Sequence, residues 1–219
     1  AGFFPAFGAS TASGLMQVTF IILFTGTLWL LLCKPLLVDN KKLRNKNFEL
    51  LRFRNNPAIF EALLKQQTVV DTTPFENDLQ LGNASAPVQI IIACNPYCGP
   101  CAKAHEQLDS LLGNNDIGLT IRFTIHADNK EDRRTKAVEY ILQCIPEKEN
   151  YNPEYKRQLL HDWFHYMDLD KFSKEYTPER ENNVDDMLLQ FDEWTKEAKI
   201  EATPTVFING FKLPVQYSI

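Results

Sequence analysis

Residues 88–93 read VQIIIA, an uncharged run with three successive isoleucines, opened by Pro87. A strand that alternates apolar and polar side chains can leave one face in water. This run cannot, so it predicts a strand at the middle of a sheet covered on both faces. Pro87 fits just ahead of it, where no ladder N–H is needed. The chain then turns through a short loop into AKAHEQLDSLL, which predicts a helix with Ala104, Leu108, Leu111 and Leu112 on one face, ended by Gly113-Asn114. LTIRFTI, residues 119–125, alternates as a second strand. Two strands joined by a helix form a right-handed parallel unit. Residues 129–200 are a helical block of three amphipathic segments. Their apolar faces carry Ala137, Ile141 and Cys144, then Leu159, Leu160, Trp163, Phe164 and Met167, then Val184, Met187, Leu188, Phe191 and Trp194. TVFI and FKL flank Asn209-Gly210, a strong two-residue hairpin signal. The predicted fold class is α/β, a small mixed sheet flanked by helices with a helical insertion.

A second feature sits apart from this pattern. Residues 15–33 read LMQVTFIILFTGTLWLLLC, uncharged and long enough to cross ~30 Å of hydrocarbon. A buried core helix of this length would carry a polar stripe. A signal peptide would have a basic start and an apolar stretch of only ~7–15 residues. The expected organisation is the end of a membrane region or connection over 1–14, a transmembrane helix over 15–37, and a basic linker over 38–74. In the linker, Asn56-Pro57 opens a short amphipathic helix that Thr72, Thr73 and Pro74 break off. A globular domain follows over 75–219. A first residue Ala1 and a last residue Ile219 just past a predicted strand suggest a piece of a longer chain.

The formal charge of −5 is unevenly spread. Lys34, Lys41, Lys42, Arg44, Lys46, Arg52 and Arg54 face only Asp39 and Glu49 within residues 34–54, so the rest of the chain is strongly acidic. An acidic domain argues against a nucleic-acid partner, which needs a cationic surface. The basic run reads as a collar at a membrane surface. By itself the positive-inside rule places that collar, and the domain, in the cytoplasm.

The five cysteines are Cys33, Cys94, Cys98, Cys101 and Cys144. Cys98 and Cys101 form a C-x-x-C, which reads as a redox pair, half of a metal site or chance. Its position, where a buried strand hands over to a helix, favours the redox reading. The first helical turn offers unpaired N–H groups and a partial positive charge, which stabilise thiolate at Cys98. Pro100 fits that turn because its missing N–H would be unpaired there anyway. The implied chemistry is attack by Cys98 on a disulfide and resolution by the more buried Cys101. It needs no cofactor in this part of the chain.

CNPYCGPCAKAH, with ATPTVFING about a hundred residues later, resembles the thioredoxin superfamily over roughly residues 75–217. Cys98-Gly99-Pro100-Cys101 matches the active-site tetrapeptide, with Gly99 and Pro100 at the helix N-terminus. Thr203-Pro204 matches the family's cis-proline, which together with Tyr97 is expected to bind the substrate chain. The helical insertion resembles the DsbA-like branch. The resemblance implies a thioredoxin-like fold lacking its last helix here, and a protein-disulfide oxidoreductase acting on protein thiols and disulfides. A transmembrane helix leading into such a domain is similar to bacterial vitamin K epoxide reductase homologues fused to a thioredoxin-like domain. That implies a membrane domain in the same chain, quinone chemistry in that domain, a bacterial inner-membrane location and a periplasmic catalytic domain. Two departures stand out. Tyr97 replaces the usual Trp, and VQIIIA lacks the buried carboxylate thioredoxin uses at its second cysteine. The Gly-Pro dipeptide resembles thioredoxin, a reductant near about −270 mV against about −120 mV for DsbA, whereas quinone coupling favours net oxidation.

Two other functions compete. Cys94, Cys98 and Cys101 have a C-x3-C-x2-C spacing similar to the cluster loop of radical S-adenosylmethionine enzymes, and His105 could add a ligand to iron–sulfur or zinc. That family's barrel needs more chain than this. A non-catalytic binding module is the other, though it has no need of both thiols. Of the remaining candidates, Cys94 and Cys144 read as small core residues, Cys33 as lipid-facing or packed, and His105 as solvated. His161 and His165, one turn apart, read as surface histidines flanking Trp163. No metal ligands are expected.

Overall fold

A computed structural model describes residues 8–75, 78–146, 152–178 and 184–217. The chain divides into two compact units, residues 1–59 and 60–219.

The first unit is helical. Helix α1 (Gly8–Leu28) passes through one π-helical turn (Trp29–Cys33) into α2 (Lys34–Arg54). Residues 8–14 are helical and continuous with the apolar run. The π turn has a local cause. Pro35 has no N–H, and its ring would clash with the carbonyl four residues back. The backbone widens there, and the Lys34 N–H bonds the Trp29 carbonyl. Thr19, Thr25 and Thr27 turn their hydroxyls onto the carbonyls of Met16, Ile21 and Phe24 at 2.9, 2.8 and 2.9 Å. Hydroxyls on an apolar helix with no other partner are satisfied in this way. Ser13–Arg54 contains a window long and apolar enough to cross a membrane, none of it buried, so this helix is a candidate transmembrane span. α3 (Pro57–Leu64) follows, its first turn capped by Asn56 Oδ1, which accepts from the Ala58 N–H at 3.0 Å.

In the second unit five strands form one mixed sheet in the order β1-β3-β2-β4-β5. They are β1 (Leu79–Gly82), β2 (Val88–Cys94), β3 (Ile117–Phe123), β4 (Thr205–Ile208) and β5 (Phe211–Lys212). β2 pairs parallel with β3 and antiparallel with β4, so Ile92 lies between Ile121 and Val206. The expected central strand is therefore central. Its residues alternate between two apolar layers. Ile90, Ile92 and Cys94 join the large core with Leu119, Ile121, Phe123, Leu159, Leu160 and Trp163. Ile91 and Ala93 join Phe207 and Trp194 on the other side, with Val70 and Phe75 packed over them. Each fully buried Ile or Leu contributes ~1.5–3 kcal/mol, so β2 anchors the domain from both faces.

The helices are α4 (Gly99–Asp109), α5 (Arg133–Gln143), α6 (Pro153–Tyr166), α7 (Leu169–Glu175) and α8 (Asp185–Glu197). Four expectations change. β1 is an additional strand, antiparallel to β3, with only Leu79 and Leu81 to mark it. β3 starts two residues earlier than its alternation suggested, and it is buried on both faces nearly throughout. The insertion has a further helix, α7, set off by Met167 in a left-handed turn and capped by Asp168. α4 ends at Asp109, so Leu111 is 44% exposed and the buried face is Cys101, Ala104, His105 and Leu108 instead. The Asn209-Gly210 turn joins β4 to β5 with φ of +49° and +86°, the primed-turn geometry its residues favour. Residues 68–70, expected as linker, run along β5: the Val70 N–H bonds the Gly210 carbonyl at 2.9 Å and the Lys212 N–H bonds the Thr68 carbonyl at 3.0 Å.

A buried ion pair clamps the segment that covers the second face. Arg122 on β3 meets Asp78 through Nη2 at 2.7 Å and Nε at 3.3 Å, and Nη2 also donates to the Thr73 carbonyl at 2.9 Å. Phe75 and Trp194 lie over the guanidinium at 3.8 and 4.8 Å.

Candidate active site

β2 ends at Cys94, four residues short of Cys98, and the intervening Asn-Pro-Tyr makes the turn into α4. Asn95 shapes that turn, its Oδ1 accepting from the Tyr97 N–H at 2.9 Å. Cys98 is the N-cap of α4, Gly99 and Pro100 form its exposed first turn, and Cys101 follows one turn in. The Cys101 N–H donates to the Cys98 sulfur at 3.4 Å. The Cys98 thiol lies 3.6 Å from the Thr203 carbonyl, and the Thr203–Pro204 peptide bond is cis. The residues expected from sequence thus converge: Cys98, Cys101, Thr203 and Pro204 meet at the head of one helix. The two sulfurs are free thiols, Cys98 half-buried and Cys101 with no exposed surface.

Tyr97 stands beside Cys98, with more support than sequence reasoning supplied. Its ring packs edge-on against Trp163 at 5.5 Å, and Arg133 lies over it at 4.4 Å. Trp163, read from sequence simply as core, donates its indole N–H to the Pro96 carbonyl at 2.9 Å. The insertion helix α6 thereby holds the loop that presents Cys98. Nothing in the local sequence links Trp163 to Pro96, since they are 67 residues apart.

The electrostatics differ from expectation. The helix N-terminus does supply an N–H to Cys98, yet burial and the hydrogen bond to Cys101 push the Cys98 thiol up. Cys101 is the group brought down, from 9.0 to about 6, chiefly by a hydrogen bond from the Cys94 thiol. The Cys98 thiol, the Asn95 N–H and the Thr203 side chain add to it against the cost of burial. Interacting thiols lose their protons as a pair. The loss of one proton from the Cys98–Cys101 pair is therefore shared between the two sulfurs. Cys94 itself, fully buried, is held well above the ordinary thiol range by desolvation.

His105 is a correction. It is 2% exposed rather than solvated, packs on Phe164 with ring centroids 4.8 Å apart, and burial lowers it to about 4, so it is neutral. Position 105 lies four residues beyond Cys101, on the buried face of α4. His161 and His165 are exposed. Cys144 is buried in the main core. Among the described residues no three or more His, Cys, Asp or Glu side chains are disposed to hold a metal ion. A groove of about 270 Å³ runs from Pro204 past Val206, Leu213 and Tyr217.

Solved structures with a similar fold exist. A periplasmic thioredoxin-like protein from Salmonella enterica serovar Typhimurium shares 13% identity over 75% of this chain and 91% of its own, with a TM-score of 0.54. ScsC of Proteus mirabilis in a compact conformation shares 15% over 88% and 92%, TM-score 0.50. A single-substitution form of α-DsbA1 from Wolbachia pipientis shares 15% over 68% and 81%, TM-score 0.50. At these identities the likeness is one of fold, a thioredoxin-like α/β domain with DsbA-like neighbours. No curated protein matches the chain. The thioredoxin family model matches residues 75–218, running from the approach to β1 through the cysteine pair and past β5. A match of that extent, over a domain already built this way, makes the chain a member of the thioredoxin family.

Proposed function

We propose that this chain is a membrane-anchored protein-disulfide oxidoreductase working through the Cys98–Cys101 dithiol. The observation that carries the reading is the accessible Cys98 sulfur at the head of α4, 3.4 Å from the Cys101 N–H and 3.6 Å from the Thr203 carbonyl. In the oxidising direction a substrate thiolate attacks Cys98 Sγ of the internal disulfide, the new bond joins substrate to Cys98, and the electron pair of the broken bond leaves on Cys101. A second substrate thiol then displaces Cys98, giving substrate disulfide and protein dithiol. The reverse sequence reduces a substrate. Thr203, Pro204 and Tyr97 border the sulfur and would seat the substrate chain, with the apolar groove beyond Pro204 taking its neighbouring residues.

The rest of the proposal concerns the electron source or sink. The candidate span fits a vitamin K epoxide reductase-like membrane domain in the same chain, which would exchange electrons with the dithiol through quinone, at the periplasmic face of a bacterial inner membrane; here the family resemblance outweighs the basic collar, which taken alone points to the cytoplasm. Cys101→Ser in cells tests the exchange role: substrates should accumulate as mixed disulfides on Cys98, and capture of none refutes it. A membrane-impermeant maleimide should label Cys98 in intact cells. Labelling only after lysis overturns the periplasmic placement.

A further inference from the structure

His161 and His165 take no part in the exchange chemistry, yet they do not stand alone on the surface. They lie one turn apart on α6, on either side of Phe164 in sequence. α4 meets this stretch through His105, whose ring packs on Phe164 with centroids 4.8 Å apart. A cavity of about 230 Å³ lies between the two helices, and all three imidazoles line it, together with the oppositely charged Lys103 and Glu106.

The three rings differ in their surroundings. His105 is 2% exposed, and its Nε2 is buried without a hydrogen-bond partner. Buried polar atoms normally have one, so this wall of the cavity suits an occupant that can meet a ring nitrogen. His161 is exposed, but it is oriented by a neighbour. Its Nδ1 lies 3.2 Å from Asp162 Oδ1. That carboxylate is itself pinned, accepting from Gln158 Nε2 at 2.9 Å and from the Tyr176 hydroxyl at 2.5 Å. An ionised carboxylate only accepts, so Nδ1 carries the proton and Nε2 keeps its lone pair. A histidine whose second nitrogen donates to a carboxylate is the usual form of a metal ligand. His165 follows at the i,i+4 spacing that puts two histidines on one helix face within reach of one ion.

We propose that His161 and His165 bind a divalent transition-metal ion of the zinc type in the cavity between α4 and α6. Imidazole nitrogen suits zinc, copper and nickel, whereas calcium and magnesium take oxygen ligands. No third protein ligand is gathered with the pair among the described residues. The ion therefore keeps water in its remaining positions, and His105 Nε2 meets one of those waters from the buried wall. The cavity of about 230 Å³ has room for both, since a water occupies about 30 Å³. Such a site is exchangeable, because closed structural zinc sites use four protein ligands. The ion is bound and nothing is transferred, so the inference stands apart from the oxidoreductase reading.

The test titrates Zn²⁺ alone into the full, detergent-solubilised chain by calorimetry. A dithiol can itself hold zinc, so Cys98→Ser and Cys101→Ser are present throughout. Saturable binding of one Zn²⁺ per chain is expected, with no competition from Mg²⁺. Outer partners of a metal ligand are worth about 10–100-fold in affinity, so Asp162→Ala should weaken binding about tenfold, and His161→Ala or His165→Ala by at least that much. His105→Leu should weaken it several-fold. No saturable binding overturns the inference, as does an affinity unchanged in any of these four variants. His161→Ala and His165→Ala change exposed side chains, so they decide the matter even if His105→Leu fails to fold.

Discussion

Two tryptophans in this domain do the same local chemistry in different places. Trp163 and Trp194 are both buried, and each donates its indole N–H to a backbone carbonyl, Pro96 at 2.9 Å and Asp71 at 3.0 Å. Replacing Trp163 with Phe strands the buried Pro96 carbonyl, which costs ~1–3 kcal/mol, whereas the Asp71 carbonyl belongs to an exposed residue and can bond water instead. The smaller ring leaves about 40 Å³ unfilled, ~1 kcal/mol at ~24 cal/mol per Å³. Trp163→Phe should therefore lose ~2–4 kcal/mol and Trp194→Phe ~1–2 kcal/mol in urea unfolding of the detergent-solubilised chain, read by near-ultraviolet dichroism. They should part in reactivity. Pro96 is two residues before Cys98, and Trp163 also supports Tyr97, so Trp163→Phe loosens the loop that aims the nucleophile. Misplacement of a reacting group by even a fraction of an ångström is costly, and the Cys98 exchange rate should fall at least about threefold. Asp71 lies on the far side of the sheet's cover, so Trp194→Phe should leave that rate within about 1.5-fold. Equal effects of the two variants on Cys98, or none from a destabilised Trp163→Phe, would refute the idea that α6 positions the active loop.

Breaking the buried clamp should be expensive: Asp78→Asn leaves the Arg122 guanidinium uncompensated and should cost ~3–5 kcal/mol in the same assay, whereas Asp78→Leu with Arg122→Met should recover most of it. His105 is lowered from 6.5 to about 4, so the unfolded chain binds its proton first and stability should fall as pH drops through that window, by about 3 kcal/mol in all. His105→Leu should abolish that part of the pH dependence in denaturation midpoints. Because Cys101 is lowered from 9.0 to about 6, disulfide capture by the reduced chain should decline as pH falls through about 6, with both sulfurs then protonated. A Cys98 alkylation profile with its midpoint near 9 would contradict the donor arrangement around Cys101.

The parts of this fold legible in the sequence are those whose cause is local. The isoleucines of VQIIIA demand cover on both faces, Asn209-Gly210 takes the positive φ of a primed turn, and Pro100 suits a first helical turn. What escaped needs a partner from elsewhere in the chain. β1 has only Leu79 and Leu81 to announce it and is a strand because β3 lies beside it with its ladder groups open. His105 looked solvated because histidine usually is. It is buried because α4 stops at Asp109, moving the covered face from Leu111 and Leu112 to Cys101, Ala104, His105 and Leu108.

The same distinction runs through the site, and there it changes the chemistry. A motif places two sulfurs, but their charge depends on what surrounds each. Reading only the helix N-terminus assigns the lowered thiol to Cys98, which does accept the Cys101 N–H. At Cys101 the Cys94 thiol, and after it the Cys98 thiol, the Asn95 N–H and the Thr203 side chain, act against the cost of burial and bring the group down to about 6. Three of those donors, Cys94, Asn95 and Cys98, lie within seven residues of Cys101 and look inert in sequence. Only the sheet and the turn direct them at one sulfur. The Thr203 side chain comes from beyond the whole insertion. The division of labour follows from access: Cys98 is the sulfur a partner can reach, Cys101 is buried behind it, and the charge of the reduced pair belongs to both.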